Sequence, residues 1–347
     1  MDTQSTNSAR SYYLDNLKTI LTVLVIAHHA MIPFVGGEGW PFHPSNPAET
    51  LPYMWRFLST NAAFFMGLFF MISGYFVPKS FDRQGFAKFI GKKALRLLVP
   101  FALISTVLSV ADSKPESGHL WFLSSLFIFC LLYALIRFVL KKSQPNPKPL
   151  SMGLVIVFAV IMSAGSFILR KFYNQDQWIF LWVFKFEPVH SLQYIMMFTF
   201  GVLAGRGDRF NKMTKGVGLT SLILGLLLCA GNYLRGNGAW NGFVNKWFGV
   251  YESLLCVFLC LGLVWLFRTV GNWSGKFWQW SAAQAFGAYI IHLFVLLIVE
   301  NLLDSIWLGT VGKYLLVLAL ATTGSFVITW LLRLPPQKII SKKSNYK

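Results

Sequence analysis

Two ionisable residues in the first apolar segment have types and a spacing that suit chemistry inside a membrane. Lys18 and His29 are eleven residues apart, which is close to three turns of an α-helix, so their side chains share one helix face about 16 Å apart along the axis. Lys18 stands at one end of the segment, and His29 lies beyond its middle. A cation at the mouth of a passage and an imidazole deep inside it suit an anionic ligand that carries a reactive group.

The same residues also have an ordinary structural explanation. Asp15 precedes Lys18 by three residues and can pair with it on the same helix face. Lys18 can extend to lipid headgroups, and His29 can hydrogen-bond a neighbouring helix. His28 points about 100° away from His29 and is expected to pack or to hydrogen-bond. The spacing alone therefore leaves both explanations open.

Small and basic residues in the next two apolar segments are further candidates. Lys93 and Arg96 are three residues apart, which is expected to place both on one face of a helix at the membrane edge. That arrangement suits a grip on phosphate but also fits ordinary positive charge there. Ser73 and Gly74 are small, and small residues allow two helices to approach closely. Each of these positions therefore has a structural interpretation beside the functional one.

Other ionisable residues lie within or at the start of later segments. Glu252 and Glu300 could each orient an imidazole or bind a hydroxyl group, and Glu252 is the stronger candidate because Glu300 lies near the end of its segment. His292 lies in mid-segment and is a candidate for lining a cavity. His119 and His190 each open a segment, where a histidine can cap or hydrogen-bond, so ordinary roles are expected for both.

The elements that must position these residues are transmembrane helices. The chain has 347 residues, of which 55% are hydrophobic and 13% charged, whereas about a quarter of the residues in a soluble domain are charged. Apolar runs of about 17–25 residues recur along the chain, each long enough to cross a ~30 Å hydrocarbon core. The predicted spans are 17–35, 60–78, 94–111, 119–139, 151–169, 189–205, 217–234, 248–267, 283–303 and 313–332.

These spans predict an all-α polytopic integral membrane protein with about ten transmembrane helices. With no long linker or shift in composition, residues 1–347 are expected to form a single transmembrane domain, with no separate soluble domain. The apolar stretch Trp178–Phe186 is too short to cross a membrane and is expected to be interfacial or re-entrant.

The charge of the chain fits a membrane better than a nucleic acid. There are 31 Lys and Arg residues against 13 Asp and Glu, a formal net charge of +18. Most of the basic residues fall in every second segment between spans, which predicts a multi-pass protein of the cell (inner) membrane with both termini cytoplasmic. The lipid bilayer is therefore an expected partner, and nucleic acid is not.

The four cysteines give no sign of a metal site or a disulfide framework. Cys130, Cys229, Cys256 and Cys260 all lie inside apolar runs, without a CxxC pattern. No cluster of His and Glu has the spacing of metal ligands either, so no metal is expected.

Five short motifs in a fixed order make the sequence recognisable. They are Tyr13–Lys18 followed after ten residues by His29, the stretch Phe69–Phe76 with its Ser-Gly-Tyr-Phe ending, Lys93-x-x-Arg96, His119–Leu123 and Tyr289–His292. Together they resemble the acyltransferase family 3 membrane proteins, and the arrangement is similar to the branch that includes the glucan O-succinyltransferases. The usual Arg of the first motif is Lys18 here, which loses bidentate contact with phosphate.

The resemblance implies an O-acyltransferase that moves an acetyl or succinyl group from cytoplasmic acyl-CoA to a hydroxyl of an extracytoplasmic glycan or similar acceptor. It implies that His29 is the catalytic base or the acyl carrier. Further candidates for the catalytic set are Asp15, Glu252 and His292. Candidates for contact with the acyl-CoA donor are Lys18, Ser73, Lys93 and Arg96.

Two other classes of protein remain as alternatives. A small-solute transporter or lipid-linked sugar flippase would also use about ten spans and an intramembrane histidine. Inverted repeats with matched, interrupted spans would favour that class, and the sequence shows no such internal repeat. A scaffolding subunit would leave Lys18, His29, Lys93 and Arg96 without evident chemistry.

Overall fold

The fold is built almost entirely from helices. The computed structural model describes residues 12–36, 40–45, 50–140, 148–175, 177–235, 239–306 and 308–342. Its helices are α1 (Tyr12–Met31), α2 (Pro52–Gln84), α3 (Phe86–Lys93), α4 (Val99–Asp112), α5 (Trp121–Val139), α6 (Met152–Leu169), α7 (Pro188–Gly207), α8 (Lys215–Leu234), α9 (Ala239–Lys246), α10 (Phe248–Val270), α11 (Lys276–Leu302) and α12 (Gly309–Lys342). The two strands in these ranges, β1 (Ile179–Leu181) and β2 (Phe184–Phe186), are three residues each.

The predicted spans correspond to helices of the structure. Within the described ranges, nine helical segments are long and apolar enough to cross a membrane. The remaining predicted span, 189–205, falls in α7, which is 20 residues long but less apolar because its buried face carries His190 and Gln193. The structure therefore confirms an all-α polytopic membrane protein, with nine spans supported by length and composition.

Glycines let α2 and α7 pack at close range. A Cβ atom at Gly201 of α7 would overlap the backbone oxygen of Met71, and one at Gly74 of α2 would overlap that of Phe198. No larger residue fits at either position unless the two backbones move apart. The close-approach interpretation of the Ser73-Gly74 pair is thus confirmed for Gly74.

Hydrogen bonds between distant segments identify the two ends of the bundle. At one end, which we call the Lys18 end, the first turn of α1 binds the loop after α10: Asn16 donates to the Gly271 carbonyl at 2.8 Å. Arg333 of α12 donates to the Ala283 carbonyl near the start of α11, so α1 begins and α12 finishes its apolar span at this end. The opposite end, which we call the Trp40 end, contains the segment that follows α1.

The stretch predicted to be interfacial or re-entrant forms a short hairpin at the Trp40 end. Ile179 pairs with Phe186 and Leu181 with Phe184 in an antiparallel ladder. Lys185 of the hairpin forms an ion pair with Glu116, which joins the hairpin to the connection between α4 and α5. Partial burial by itself would raise the pKa of Glu116. The hydrogen bond and charge of Lys185, together with hydrogen bonds from the Gly118 and Ser117 N–H groups, outweigh burial and hold that pKa below its ordinary value.

Candidate active site

Three histidines from separate helical segments meet toward the Trp40 end, and we call them the histidine cluster. They are His29 of α1, His292 of α11 and His119 of the short 3₁₀ turn that leads into α5. The ring centroids of His29 and His292 are 5.0 Å apart, and those of His119 and His292 are 4.5 Å apart. The structure therefore brings together two of the predicted catalytic residues, His29 and His292.

Backbone carbonyls determine which ring nitrogens of His29 and His292 carry hydrogen. His292 Nδ1 lies 2.6 Å from the Tyr289 oxygen, and His29 Nδ1 lies 2.9 Å from the Val25 oxygen. A carbonyl oxygen only accepts, so both Nδ1 atoms must donate. His292 Nε2 then faces His29 Nδ1 at 3.3 Å as an acceptor, and the one N–H of His29 is shared between two acceptors.

Among the contacts of the described residues, this arrangement leaves the other nitrogen of His29 without a hydrogen-bond partner and open to chemistry. In the neutral ring Nδ1 holds the hydrogen, so Nε2 carries the lone pair that a base or a nucleophile needs. His119 and His292 are buried, with 8% and 0% of their surface exposed, whereas His29 keeps partial exposure. Of the three rings, His29 is therefore the one that a substrate can reach.

His119 belongs to this site although an ordinary role was expected for it. Its Nε2 donates to the carbonyls of Tyr289 and Ile290 at 3.1 Å, and the Tyr289 hydroxyl donates to the His119 carbonyl at 2.6 Å. These bonds fix the start of α5 against α11 at residues 289 and 290, within one helical turn of His292. The expectation for His119 described its hydrogen bonding correctly but missed its place in the cluster. The motif His119–Leu123 was the sequence signal that could have found it.

Trp40 forms one wall of the histidine cluster. Its ring stacks on that of His29, with centroids 5.6 Å apart and an interplanar angle of 26°. Its indole Nε1 donates to Glu300 Oε2 of α11 at 3.0 Å, and both residues are buried. Spacing could not reveal this contact, because Trp40 and Glu300 are 260 residues apart.

The predicted pair of Asp15 and Lys18 forms at the opposite end of α1. Lys18 Nζ lies 2.8 Å from Asp15 Oδ1, which confirms that they share a face. The ammonium group also lies over the ring of Phe76 in α2, 5.3 Å from its centroid. Phe76 is three residues after Ser73, so these two lie on neighbouring turns of the same α2 face. Lys18 is partly exposed and lies close to the Phe69–Phe76 motif of α2.

Lys93 and Arg96 lie on different faces, although a continuous α-helix would place residues three apart on the same face. Residues Ala94–Leu98 form a π-helical segment between α3 and α4, and its wider turn rotates positions three apart further from each other. Lys93 lies over Phe89, 5.6 Å from the ring centroid, whereas Arg96 lies over Phe286 of α11 at 4.9 Å. The expectation of a shared face is therefore corrected by the local backbone, although both residues remain at the Lys18 end.

Glu252 contacts an imidazole, but not that of His29. Its Oε1 lies 2.8 Å from His190 Nε2, its Oε2 pairs with Arg170, and Glu187 Oε2 lies 2.7 Å from His190 Nδ1. We call these four residues the ion-pair cluster. Because both carboxylate oxygens of Glu252 are engaged there, its predicted place beside the catalytic histidine receives no support from these contacts.

The candidate site offers imidazoles rather than a metal-binding set. Within the described ranges, no group of three or more His, Cys, Asp or Glu side chains could hold a metal ion. Acid–base or nucleophilic chemistry at His29 is what the arrangement can perform.

Comparisons with known proteins then give the family. A family model described as an acyltransferase domain matches residues 11–115 and 114–330, which is nearly the whole chain. The chain belongs to this acyltransferase family. The match includes every residue of the histidine cluster and both ends of α1, so the family 3 resemblance read from the five motifs is confirmed.

Curated relatives of this acyltransferase share a common name. Glucans biosynthesis protein C of Escherichia coli O139:H28 (strain E24377A / ETEC) is 22% identical over 359 residues, covering 90% of each chain. The protein of that name from Escherichia coli strain K12 / DH10B is 23% identical over the same length, again with 90% coverage of each. The likeness to the glucan branch is thus confirmed, and the chain is a multi-pass membrane acyltransferase.

Proposed function

We propose that this acyltransferase moves an acetyl or succinyl group from acyl-CoA, bound at the Lys18 end, to a hydroxyl of a glycan that arrives at the Trp40 end. The observation that carries the proposal is the free Nε2 of a partly exposed His29, held by the Val25 carbonyl and by His292. The relatives are named for glucan biosynthesis, which supports a glycan as the acceptor class.

His29 can serve the transfer in two ways. As a general base, its Nε2 takes the proton of the acceptor hydroxyl while that oxygen attacks the thioester carbon, the C–S bond breaks, and the proton passes to the departing thiolate. As an acyl carrier, Nε2 attacks the thioester carbon, the C–S bond breaks and the thiolate leaves. The acceptor hydroxyl then attacks the acyl carbon, the C–N bond to the imidazole breaks, and the hydroxyl proton passes to the thiolate. Both routes need the same free nitrogen, so the proposal keeps both.

The donor is proposed to bind through cations at the Lys18 end. Lys18, Lys93 and Arg96 all lie there, and coenzyme A carries several phosphate groups that such cations bind. Asp15 holds Lys18 in place at 2.8 Å, and Ser73 lies close by on α2. The thin pantetheine arm would then carry the thioester along α1 toward His29, over the distance that separates Lys18 from His29 on one helix face.

The orientation follows from the distribution of basic residues. We propose that the Lys18 end faces the cytoplasm, where acyl-CoA is made, and that the Trp40 end faces outward from the cell (inner) membrane. This orientation puts the donor cations and the acceptor entrance on opposite sides of His29.

Label transfer in membranes tests the proposal. Radiolabelled acetyl-CoA and succinyl-CoA are supplied separately, with glucan acceptors added, to membranes containing wild type, His29→Ala or His43→Ala at equal expression. His43 is the matched control because it is an exposed histidine of the segment that follows α1. Label should enter glycan with one donor in wild type and in His43→Ala, and it should be absent in His29→Ala.

Other results would contradict the proposal. If neither donor gives a product and all three proteins behave alike, acyl transfer from coenzyme A is wrong. Uptake or flipping of a labelled sugar lipid by the same membranes would then favour the transporter alternative. If His29→Ala transfers label as fast as wild type, the enzyme assignment holds but the role of His29 does not.

A further inference from the structure

We propose that Glu300 and Trp40 form a pair that positions His29, with Glu300 acting on the imidazole through the indole ring. The inference rests on the proposed function, since it assigns these two residues a part in the same transfer. Neither residue has a direct role in the acid–base or nucleophilic step.

The geometry places Trp40 between Glu300 and His29. The indole ring stacks on the His29 imidazole at 26°, with centroids 5.6 Å apart. Its one polar atom, Nε1, donates to Glu300 Oε2 at 3.0 Å. Because the indole has a single N–H, this bond fixes the rotation of the Trp40 ring within its plane. The stacked Trp40 ring then limits the rotation of the His29 imidazole.

Burial makes the pair a rigid one. Trp40 keeps 7% of its surface exposed and Glu300 keeps 2%. Trp40 packs with Ile26, Ala30 and residues of α11 in one buried apolar cluster, so the loop that carries it is anchored on both helices of the site. A second bond holds the same loop, since the Ser45 backbone N–H donates to Asp304 at 3.1 Å.

His29 needs such a wall because both of its hydrogen bonds lie at one edge of the ring. Both of its hydrogen-bond acceptors, the Val25 oxygen and His292 Nε2, face Nδ1. A ring held at one edge can still tilt about that edge, which would move Nε2 away from the reacting carbon. The Trp40 ring lies against its face and limits the tilt, and a misplacement of about 1 Å can cost about 100-fold in rate.

Other features of the described chain give weaker support for a further functional site. The ion-pair cluster joins α6, α7 and α10 with its charges paired among themselves, so it acts as a structural contact. The small crevice lined by Phe158, Phe200 and Arg209 between α6 and α7 is almost wholly apolar. Buried Cys256 and Cys260 lie one helical turn apart on α10, and the contacts described for their sulfurs are with each other and with the Phe64 carbonyl.

The experiment tests separately the two partners of the hydrogen bond, the N–H of Trp40 and the carboxylate oxygen of Glu300. Trp40→Leu removes the ring, and Trp40→Phe keeps a ring without the N–H. Glu300→Leu removes the acceptor, and Glu300→Gln keeps an acceptor oxygen of nearly the same size. Trp55→Leu and Asp112→Asn are the matched controls, because both residues are exposed and lie toward the Trp40 end. Thermal unfolding of each purified variant checks that it is folded.

Steady-state kinetics give the first readout. Trp40→Leu and Glu300→Leu should each lower kcat by about 10- to 100-fold with KM for acyl-CoA nearly unchanged. The double variant should be no slower than the worse single one, because the two residues act as one unit. Glu300→Gln, which keeps an acceptor oxygen, should recover most of kcat. Trp40→Phe keeps a ring but breaks the bond to Glu300, so it should lose about as much kcat as Glu300→Leu. A Glu300→Leu variant with wild-type kcat, or additive losses in the double variant, would overturn the pair.

The reactivity of His29 gives a second readout that needs no turnover. Diethyl pyrocarbonate modifies a free imidazole nitrogen, and peptide mass spectrometry measures the rate at His29 alone. That rate should change several-fold in Trp40→Leu and equally in Glu300→Leu, and stay constant in both controls. Equal rates in all variants would overturn the inference. If the rates change as expected but wild type transfers no acyl group, the proposed function fails and the positioning pair stands.

Discussion

Two buried clusters of this acyltransferase use histidine in opposite ways. In the histidine cluster, carbonyl oxygens and other imidazoles are the hydrogen-bond partners, and His29 keeps Nε2 free. In the ion-pair cluster, each nitrogen of His190 faces a carboxylate oxygen, at 2.7 Å for Glu187 and 2.8 Å for Glu252. Nε2 of His190 bonds Glu252, and Nδ1 lies within ion-pair distance of Glu187, so both nitrogens are taken up by carboxylates.

The difference shows how partners decide the use of a buried imidazole. Glu187 and Glu252 bring two negative charges, and His190 and Arg170 can balance them, so the ion-pair cluster has no excess charge. Its ion pairs join α6, α7 and α10. The histidine cluster has no carboxylate in contact with His29 among the described contacts, so its ring can stay neutral. A neutral imidazole with an open nitrogen suits catalysis, whereas a fully paired one suits cohesion.

The largest expected effect comes from His29 itself. His29→Gln keeps a side-chain N–H that can donate to Val25 but removes the basic Nε2, so kcat should fall by about 10²- to 10⁴-fold while KM for acyl-CoA changes little. The unfolding midpoint should stay near that of wild type, since the packing is kept. A variant that retains more than about a tenth of kcat would contradict the contrast between the two clusters.

The next largest effect concerns stability. Glu252→Gln leaves Arg170 and His190 without their shared carboxylate in a site where Glu252 is 1% exposed, and it should lower the free energy of unfolding by about 3–5 kcal/mol. Denaturant unfolding in detergent measures this. The control is Asp82→Asn, whose ion pair with Arg137 is 37% exposed on the Asp82 side and should cost less than about 1 kcal/mol. Equal losses in the two variants would show that the ion-pair cluster is not structural.

A smaller effect is expected at the second imidazole of the histidine cluster. His292→Leu removes the acceptor that faces His29 Nδ1 at 3.3 Å but leaves the Val25 carbonyl in place. We expect kcat to fall by about 10- to 100-fold, less than for His29→Gln, because one of the two hydrogen bonds to the ring survives and the basic Nε2 is kept. His292→Gln, which can still offer an oxygen, should lie between His292→Leu and wild type. The ranking of the three kcat values is the measurement, and a His292→Leu loss as large as that of His29→Gln would make His292 a direct participant.

The smallest effect is the pH dependence of the contact between the hairpin and the α4–α5 connection. The pKa of Glu116 in the folded protein lies below its ordinary value of 4.5, so the ion pair with Lys185 contributes fully above 4.5 and is lost as the pH falls through the lower, folded value. Amide exchange at Ser117 and Gly118, whose N–H groups bond Glu116 Oε1 at 2.8 and 2.6 Å, follows this loss. Lys185→Met should move the onset to higher pH; an onset that does not move would mean that Lys185 does not stabilise the carboxylate.

Local patterns were enough for the helices and for one face of α1. The predicted spans are helices in the structure, because the length of an apolar run depends only on consecutive residues. The pair of Asp15 and Lys18 also followed from a three-residue spacing on one helix. The shared face of Lys93 and Arg96 did not form, because the π-helical segment at Ala94–Leu98 changes the rotation per residue in a way that the residue types do not announce.

The sequence by itself determined a polytopic helical membrane protein, the acyltransferase family and the position of His29. Tertiary structure decided the partners of each imidazole: His292 and Trp40 for His29, two carboxylates for His190. The physical reason is that helix formation depends on neighbours a few residues apart, whereas the chemistry of a buried histidine depends on hydrogen-bond partners up to 263 residues away. The spacing of residues along one helix cannot specify whether a neighbouring helix places a carboxylate or an aromatic ring beside a histidine.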